Sequence, residues 1–114
     1  KGVPEIAAEV RDLAGRGRAG DLRPDELEGS VISVSNLGMF GIDRFHAVIN
    51  PGEAAILAVG RAVARPVVVD GHVVVRDVMT LSLSVDHRIA YGAEAATFLG
   101  RVAELLEHPA ALLV

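Results

Sequence analysis

The 114-residue chain contains no cysteine, which excludes disulfides, thiolate metal sites and a cysteine nucleophile. Long hydrophobic runs are missing too. Its apolar stretches are strand-sized and broken by Arg, Asp or Gly, too short to cross a bilayer as a helix. No signal peptide is visible. Positive charge is not in excess: eleven Lys and Arg stand against fifteen Asp and Glu, a net charge of −4. There is thus no electrostatic case for nucleic acid or an anionic membrane as partner. What the chain does have is apolar substance, 51% hydrophobic residues at a mean hydropathy of +0.40. That is enough for the core of one domain and leads us to expect apolar surface facing another subunit or segment. The first residue is Lys1 and the next already read as helix, so the expectation is a piece of something longer, its 1–114 span being one partial domain.

Pro4 suits a first helical turn, and Val3, Ile6, Val10 and Leu13 recur at helical spacing. Gly15, Gly17 and Gly20 are expected to end that helix. A charged stretch with Pro24 and Leu27 reads as a short surface turn. Val31-Ile32-Ser33-Val34-Ser35 alternates as a strand does. Gly38 and Gly41 mark a loop around Met39-Phe40. Residues 45–49 are expected to form a short strand before the turn signal Asn50-Pro51-Gly52. Residues 54–59 form a continuous apolar run, as in a strand buried on both faces. Asp70-Gly71 between valine-rich runs predicts a hairpin. Thr80 to Asp86 alternates again, with Leu81, Leu83 and Val85 on one face. Ala95, Phe98, Leu99, Val102, Leu105 and Leu106 make a helical stripe ending before Pro109. The connections between strands are mostly too short for helical crossovers, so the sheet is expected to be mixed or largely antiparallel.

His87, between Asp86 and Arg88 at a strand–helix junction, is the first candidate for chemistry. An imidazole near neutral pKa can take a proton from a thiol or hydroxyl and return it; the alternative is a structural, hydrogen-bonded histidine. His46 reads as structural, and His72 and His108 as solvated. Metal binding lacks a ligand set, because no second histidine lies at a suitable spacing from His87. The glycines at 38 and 41 are not followed by the residues of a phosphate loop. Ser33 and Ser35 share a strand face. Either is a solvated hydroxyl or, where the strand ends at the glycine loop, a hydrogen-bond donor to a developing oxyanion.

Three ordered segments carry a resemblance: Val34-Ser35-Asn36-Leu37-Gly38; Ile49-Asn50-Pro51-Gly52-Glu53-Ala54-Ala55-Ile56-Leu57; and Leu81-Ser82-Leu83-Ser84-Val85-Asp86-His87-Arg88. They resemble the catalytic domain of the dihydrolipoamide acyltransferases, the E2 components of 2-oxo acid dehydrogenase complexes. Gly2-Val3-Pro4-Glu5-Ile6 and Leu106-Glu107-His108-Pro109 look like the same family. The match covers the later half of that domain. It implies an α/β (α+β) fold like chloramphenicol acetyltransferase, a mixed sheet flanked by helices. It also implies acyl transfer between dihydrolipoamide and coenzyme A thiols, with His87 as base and Ser35 as oxyanion donor, Ser33 being the fallback. Coenzyme A enters as substrate, lipoamide arrives on a separate lipoyl domain, and no metal is implied.

The implied partners are two further copies in a homotrimer, in which the histidine of one chain meets the serine of its neighbour. A larger cage would bear on Leu112-Leu113-Val114, and the E1 and E3 components would bind through domains absent from this chain. The implied compartment is the bacterial cytoplasm, or the mitochondrial matrix in a eukaryote. One departure stands out. The family reads Asp-His-Arg-x-x-Asp-Gly, sometimes with Asn for the second Asp, and here that position is Tyr91. A phenol hydrogen-bonds but is uncharged at neutral pH, so no catalytic role is carried onto it. Two alternatives remain: a non-enzymatic trimer-forming core fragment, and an acyltransferase of the same fold acting on a small soluble acceptor.

Overall fold

The structure, a computed structural model, describes residues 1–113; Val114, the last residue of the C-terminal apolar patch, lies outside them. Two compact units are present, residues 1–30 with 96–114, and residues 31–95.

The first unit opens with α1, Val3–Ala19, which has Pro4 in its first turn, where a missing N–H costs nothing, and Glu5 in its first turn and Arg16 and Arg18 in its last, charges favourable to the helix dipole. The helix does not stop at Gly15 or Gly17, as expected from sequence. It runs through both and closes at Gly20, whose φ of 75° is the left-handed conformation glycine adopts freely. The cap is sealed by the Gly20 N–H to the Gly17 carbonyl and the Asp21 N–H to the Arg16 carbonyl. A 3-10 turn, Pro24–Leu27, follows. Its Glu26 is bound bidentately by Arg16 at 2.7 and 2.8 Å and by the Arg23 N–H at 2.8 Å. Arg16 also holds Asp12 at 2.9 Å. These residues, with Glu9, Leu13 and Arg23, line an open groove of about 420 Å³.

Hydrogen bonds from Arg16, then from the Arg23 backbone, lower the Glu26 carboxyl from 4.5 to about 2. A depressed carboxyl adds stability that is full above the unfolded pKa and is lost as pH falls through the folded one. The α1–turn junction should therefore loosen as pH drops from about 4.5 towards 2. Thermal midpoints at pH 7 and pH 3 check this, because Glu26→Gln should shrink the difference between them.

In the second unit, β1 (Ile32–Asn36), β2 (Ala55–Val59) and β5 (Leu81–Val85) form a three-stranded sheet in the order β1-β2-β5. β1 runs parallel to β2, and β5 antiparallel to it. The sheet is thus mixed, as expected. The central strand is the apolar run, and its Ala55, Ile56 and Ala58 are the buried hydrophobic residues. Register places Ser33 and Ser35, Ile56 and Ala58, and Ser84 and Ser82 on one face. Ile32, Val34, Leu57, Leu81, Leu83 and Val85 lie on the other, where Val34 remains 67% exposed.

β3 (Val63–Val69) and β4 (His72–Val78) form a separate two-stranded ribbon. Its turn is Asp70-Gly71 with φ of 52° and 78°, both positive, as a two-residue hairpin turn of this hand requires. The strand expected at 45–49 does not form. Phe45, Ala47 and Ile49 are half-buried and His46 and Val48 exposed, so the alternation is real. Among the described residues no neighbouring strand supplies a hydrogen-bond ladder, though the Ser84 hydroxyl donates to the Ala47 carbonyl at 2.9 Å. Helix α2 spans Gly92–Glu107, and a 3-10 turn, Pro109–Leu113, follows it.

Candidate active site

β5 ends at Val85 and the chain turns at once. The Asp86 N–H donates to the Ala54 carbonyl at 2.8 Å, and the Asp86 carbonyl accepts from the N–H groups of Ile89 and Ala90 at 2.9 and 3.0 Å. The Asp86 carboxylate accepts from the Arg88 N–H at 2.9 Å and from its guanidinium at 2.7 Å. These bonds, the guanidinium first, hold the Asp86 carboxyl down at about 2 and raise Arg88. His87 occupies the crest of this turn, exposed, with no hydrogen bond to its imidazole among the described residues. Four residues on is Tyr91, exposed, its carbonyl accepting the Ala95 N–H at 3.0 Å. Of the other histidines, His46 and His72 are exposed, and His108 Nδ1 lies 3.2 Å from the Glu104 carbonyl.

The two serines differ. Ser33 Oγ donates to the Glu53 carboxylate, 2.7 Å from Oε2, and accepts from Asn50 Nδ2 at 3.1 Å. It is tied into the Asn50–Glu53 turn. Ser35 is half-buried and its hydroxyl has no hydrogen-bond partner among the described residues. The loop after it is fixed by backbone bonds. Leu37 N–H donates to the Val59 carbonyl, and Arg61 N–H to the Ile42 carbonyl at 2.8 Å. Asp43 bridges Arg61 and Arg65 at 2.8 and 3.3 Å. This loop passes tightly against Gly60, buried just after β2. A Cβ there would overlap the Asp43 carbonyl.

Within one chain the sheet keeps His87 and Ser35 apart. Ser35 is level with Ala58 and, across β2, with Ser82. His87 lies beyond Val85, which is level with Ala55 and so with Ile32, at the other end. At about 3.3 Å per residue along a strand and about 4.8 Å between strands, the separation is on the order of 15–20 Å. A base must come within hydrogen-bond reach of its proton, about 3 Å. These two side chains of one chain therefore cannot meet at a single reacting carbonyl.

Sequence reasoning missed two features here, the Asp86–Arg88 ion pair and the Glu53–Ser33–Asn50 cluster. The charged neighbours of His87 signalled the first. Nothing local signalled the second, because Glu53 and Ser33 are brought together by the parallel pairing of β1 with β2.

A family model for the 2-oxoacid dehydrogenases acyltransferase catalytic domain matches residues 1–114. The chain is 42% identical over 113 residues to the dihydrolipoyllysine-residue acetyltransferase component of the pyruvate dehydrogenase complex of Zymomonas mobilis, covering 99% of this chain and 26% of that protein. It is 48% identical over 108 residues to the lipoamide acyltransferase component of the branched-chain alpha-keto acid dehydrogenase complex of Pseudomonas aeruginosa, covering 95% and 25%.

Among solved structures, the dihydrolipoamide acetyltransferase of Azotobacter vinelandii superposes with a TM-score of 0.90 at 37% identity, over all of this chain and 47% of that one. That work examined the role of one serine, one histidine and one asparagine in the catalytic mechanism. The cubic core of the pyruvate dehydrogenase multienzyme complex superposes equally well, at 38% identity and the same coverage. The chain thus spans about a quarter of the length of the curated relatives and just under half of the solved chains. With the family model matched from end to end and solved acyltransferase chains superposing at a TM-score of 0.90, the chain belongs to the family of 2-oxoacid dehydrogenase acyltransferase catalytic domains.

Proposed function

We propose that this chain is part of a catalytic domain that moves an acyl group between the thiols of dihydrolipoamide and coenzyme A, with His87 as base and Ser35 as oxyanion donor. One observation carries the assignment. In the Azotobacter vinelandii enzyme the examined serine precedes the histidine by 52 positions and the asparagine follows it by four. Here 87 − 35 = 52, and the position four after His87 is Tyr91. The unengaged Ser35 hydroxyl supports the same choice over Ser33, whose hydroxyl is already spent on Glu53.

His87 takes the proton of the attacking thiol. The sulfur adds to the thioester carbonyl, and the Ser35 hydroxyl donates to the resulting oxyanion. The intermediate collapses, the carbon–sulfur bond of the leaving thiol breaks, and His87 returns the proton to it. The separation of the two residues within one chain favours a site assembled from two chains, His87 from one and Ser35 from the next, in a homotrimer. Cage assembly is supported by the likeness to a cubic core. The lipoamide arm comes on a lipoyl domain, and the E1 and E3 components bind through further domains, all outside these residues. Relatives in bacteria and in a plant chloroplast fit a water-soluble complex, which we place in the cytoplasm if the source is bacterial. Among the described residues no helix is long and apolar enough to cross a membrane.

The test is acyl transfer from acyl-coenzyme A to dihydrolipoamide by the full-length, assembled protein. Ser35→Ala should lower turnover by about 10²–10³-fold, the usual loss for one oxyanion donor, with an unchanged melting temperature. Ser33→Ala should instead lower stability, by about 1–3 kcal/mol, because it leaves the half-buried Glu53 without one of its donors. A Ser35→Ala enzyme at full rate would remove Ser35 from the mechanism.

A further inference from the structure

We propose that Asp86 and Arg88 form a clasp across His87 and act as positioning residues for the transfer step, a proposal that rests on His87 being the base. Asp86 is bonded through its N–H, its carbonyl and its carboxylate. Its N–H is anchored to Ala54 and its carbonyl takes two donors, from Ile89 and Ala90. Its carboxylate takes the Arg88 N–H at 2.9 Å, the Arg88 Nε at 3.0 Å and the Arg88 Nη2 at 2.7 Å.

The bond from the Arg88 N–H to the Asp86 side chain closes an Asx turn with His87 as its central residue. The guanidinium then locks the same carboxylate through a two-point fork, a geometry that lysine cannot reproduce. The Asp86 side chain is 16% exposed and that of Arg88 89%, so the arginine closes over the carboxylate from the solvent side. An ion pair whose arginine is this exposed adds only modestly to stability. Its effect here is geometric: the residues on either side of His87 are tied to each other and, through Ala54, to the sheet. The imidazole is thereby carried on a turn of defined shape, although no described residue hydrogen-bonds the ring itself. Reacting groups displaced by about 1 Å can lose about 10²-fold in rate, which sets the scale of what such a clasp protects.

The experiment uses the full-length assembled protein and the acyl transfer assay. Arg88→Met should lower kcat by about 10- to 100-fold, leave KM for dihydrolipoamide within about twofold, and lower the melting temperature by no more than a few degrees. Arg88→Lys, which keeps the charge but not the fork, should recover part of the loss. In a His87→Ala background, Arg88→Met should cause no further loss, as expected of residues acting as a unit. An unchanged kcat for Arg88→Met, in a protein that His87→Ala disables, overturns the clasp and leaves the base assignment standing. An equal loss from Arg88→Met with and without His87 also overturns it, since Arg88 would then act elsewhere. If His87→Ala retains full rate, it is the base assignment that fails.

Discussion

Replacing His87 with alanine should lower acyl transfer by the full-length, assembled protein by about 10²–10⁴-fold, the range for loss of a general acid–base group. Little stability should be lost with it, because the ring is exposed and hydrogen-bonds to none of the described residues. A second measurement goes further. His87 and Ser35 sit at opposite ends of one sheet, with Ser35 level with Ser82 and His87 past Val85. If each site takes one residue from each of two chains, inactive subunits should complement each other. His87→Ala and Ser35→Ala proteins, unfolded together in equal amounts and reassembled, should regain activity. In a closed cyclic trimer about one site in four then receives both an intact histidine and an intact serine, so recovery should approach about a quarter of the wild-type rate. Separately refolded pools mixed afterwards should stay inactive. Absence of recovery, with each single variant inactive, would refute the shared site. Full activity of His87→Ala would instead favour the reading of this region as an assembly element without chemistry.

The largest effect on folding should come from Gly60→Ala. Gly60 is buried, its N–H donates to the Thr80 carbonyl at 3.0 Å, and the Asp43 carbonyl occupies the space where a Cβ would sit. The obstacle is backbone, and it is pinned. Arg61 N–H holds the Ile42 carbonyl, and the Arg61 guanidinium holds the Asp43 carboxylate at 2.8 Å. Neither side can yield without breaking these bonds. Overpacking costs about 1–3 kcal/mol, and with pinned backbone as the obstacle the upper end is expected, which should lower the melting temperature by roughly 10 °C in a domain of ordinary size. Gly100 provides the contrast. It lies within α2, and a Cβ added there would meet nothing within 4 Å, so Gly100→Ala should stabilise by about 0.5–1 kcal/mol. Equal melting temperatures for Gly60→Ala and the parent would contradict the close approach of the 37–44 loop to β2.

Much of this architecture is legible in the sequence, and the boundary follows the range of the interactions. The Asp70-Gly71 turn, the serine-valine alternation of β1 and the stripe of α2 depend on residues a few positions apart, and all three form as read. Gly15 and Gly17 mislead because a glycine's cost of about 1 kcal/mol is only a local tendency. The helix continues to the glycine whose φ is positive and whose cap bonds are made. Residues 45–49 alternate in burial like a strand, yet a strand needs a neighbour, and none lies beside them among the described residues. The mixed sheet is expected, but which strands run parallel is not readable, because 18 residues without an α-helix join β1 to β2. For the site, His87 and Ser35 are both named from sequence. The distinction between Ser35 and Ser33 is left to resemblance, since it turns on a carboxylate 20 residues away.

The pairings of the three-stranded sheet also set an order of events during folding. Ile32 joins Ala55, and Ala55 joins Val85, partners separated by more than twenty residues, whereas Val69 meets His72 across a two-residue turn. A local hairpin closes in about 1–10 μs. Pairings between distant residues first require the intervening chain to lose its freedom, and topologies built from them fold more slowly. The β3–β4 ribbon should accordingly appear early and β1 should dock onto β2 late. The strand that carries Ser35 is then among the last parts of the molecule to be ordered, and until it docks β2 keeps an open edge. For a newly made chain, that late interval is when mispairing competes most strongly with acquiring a site.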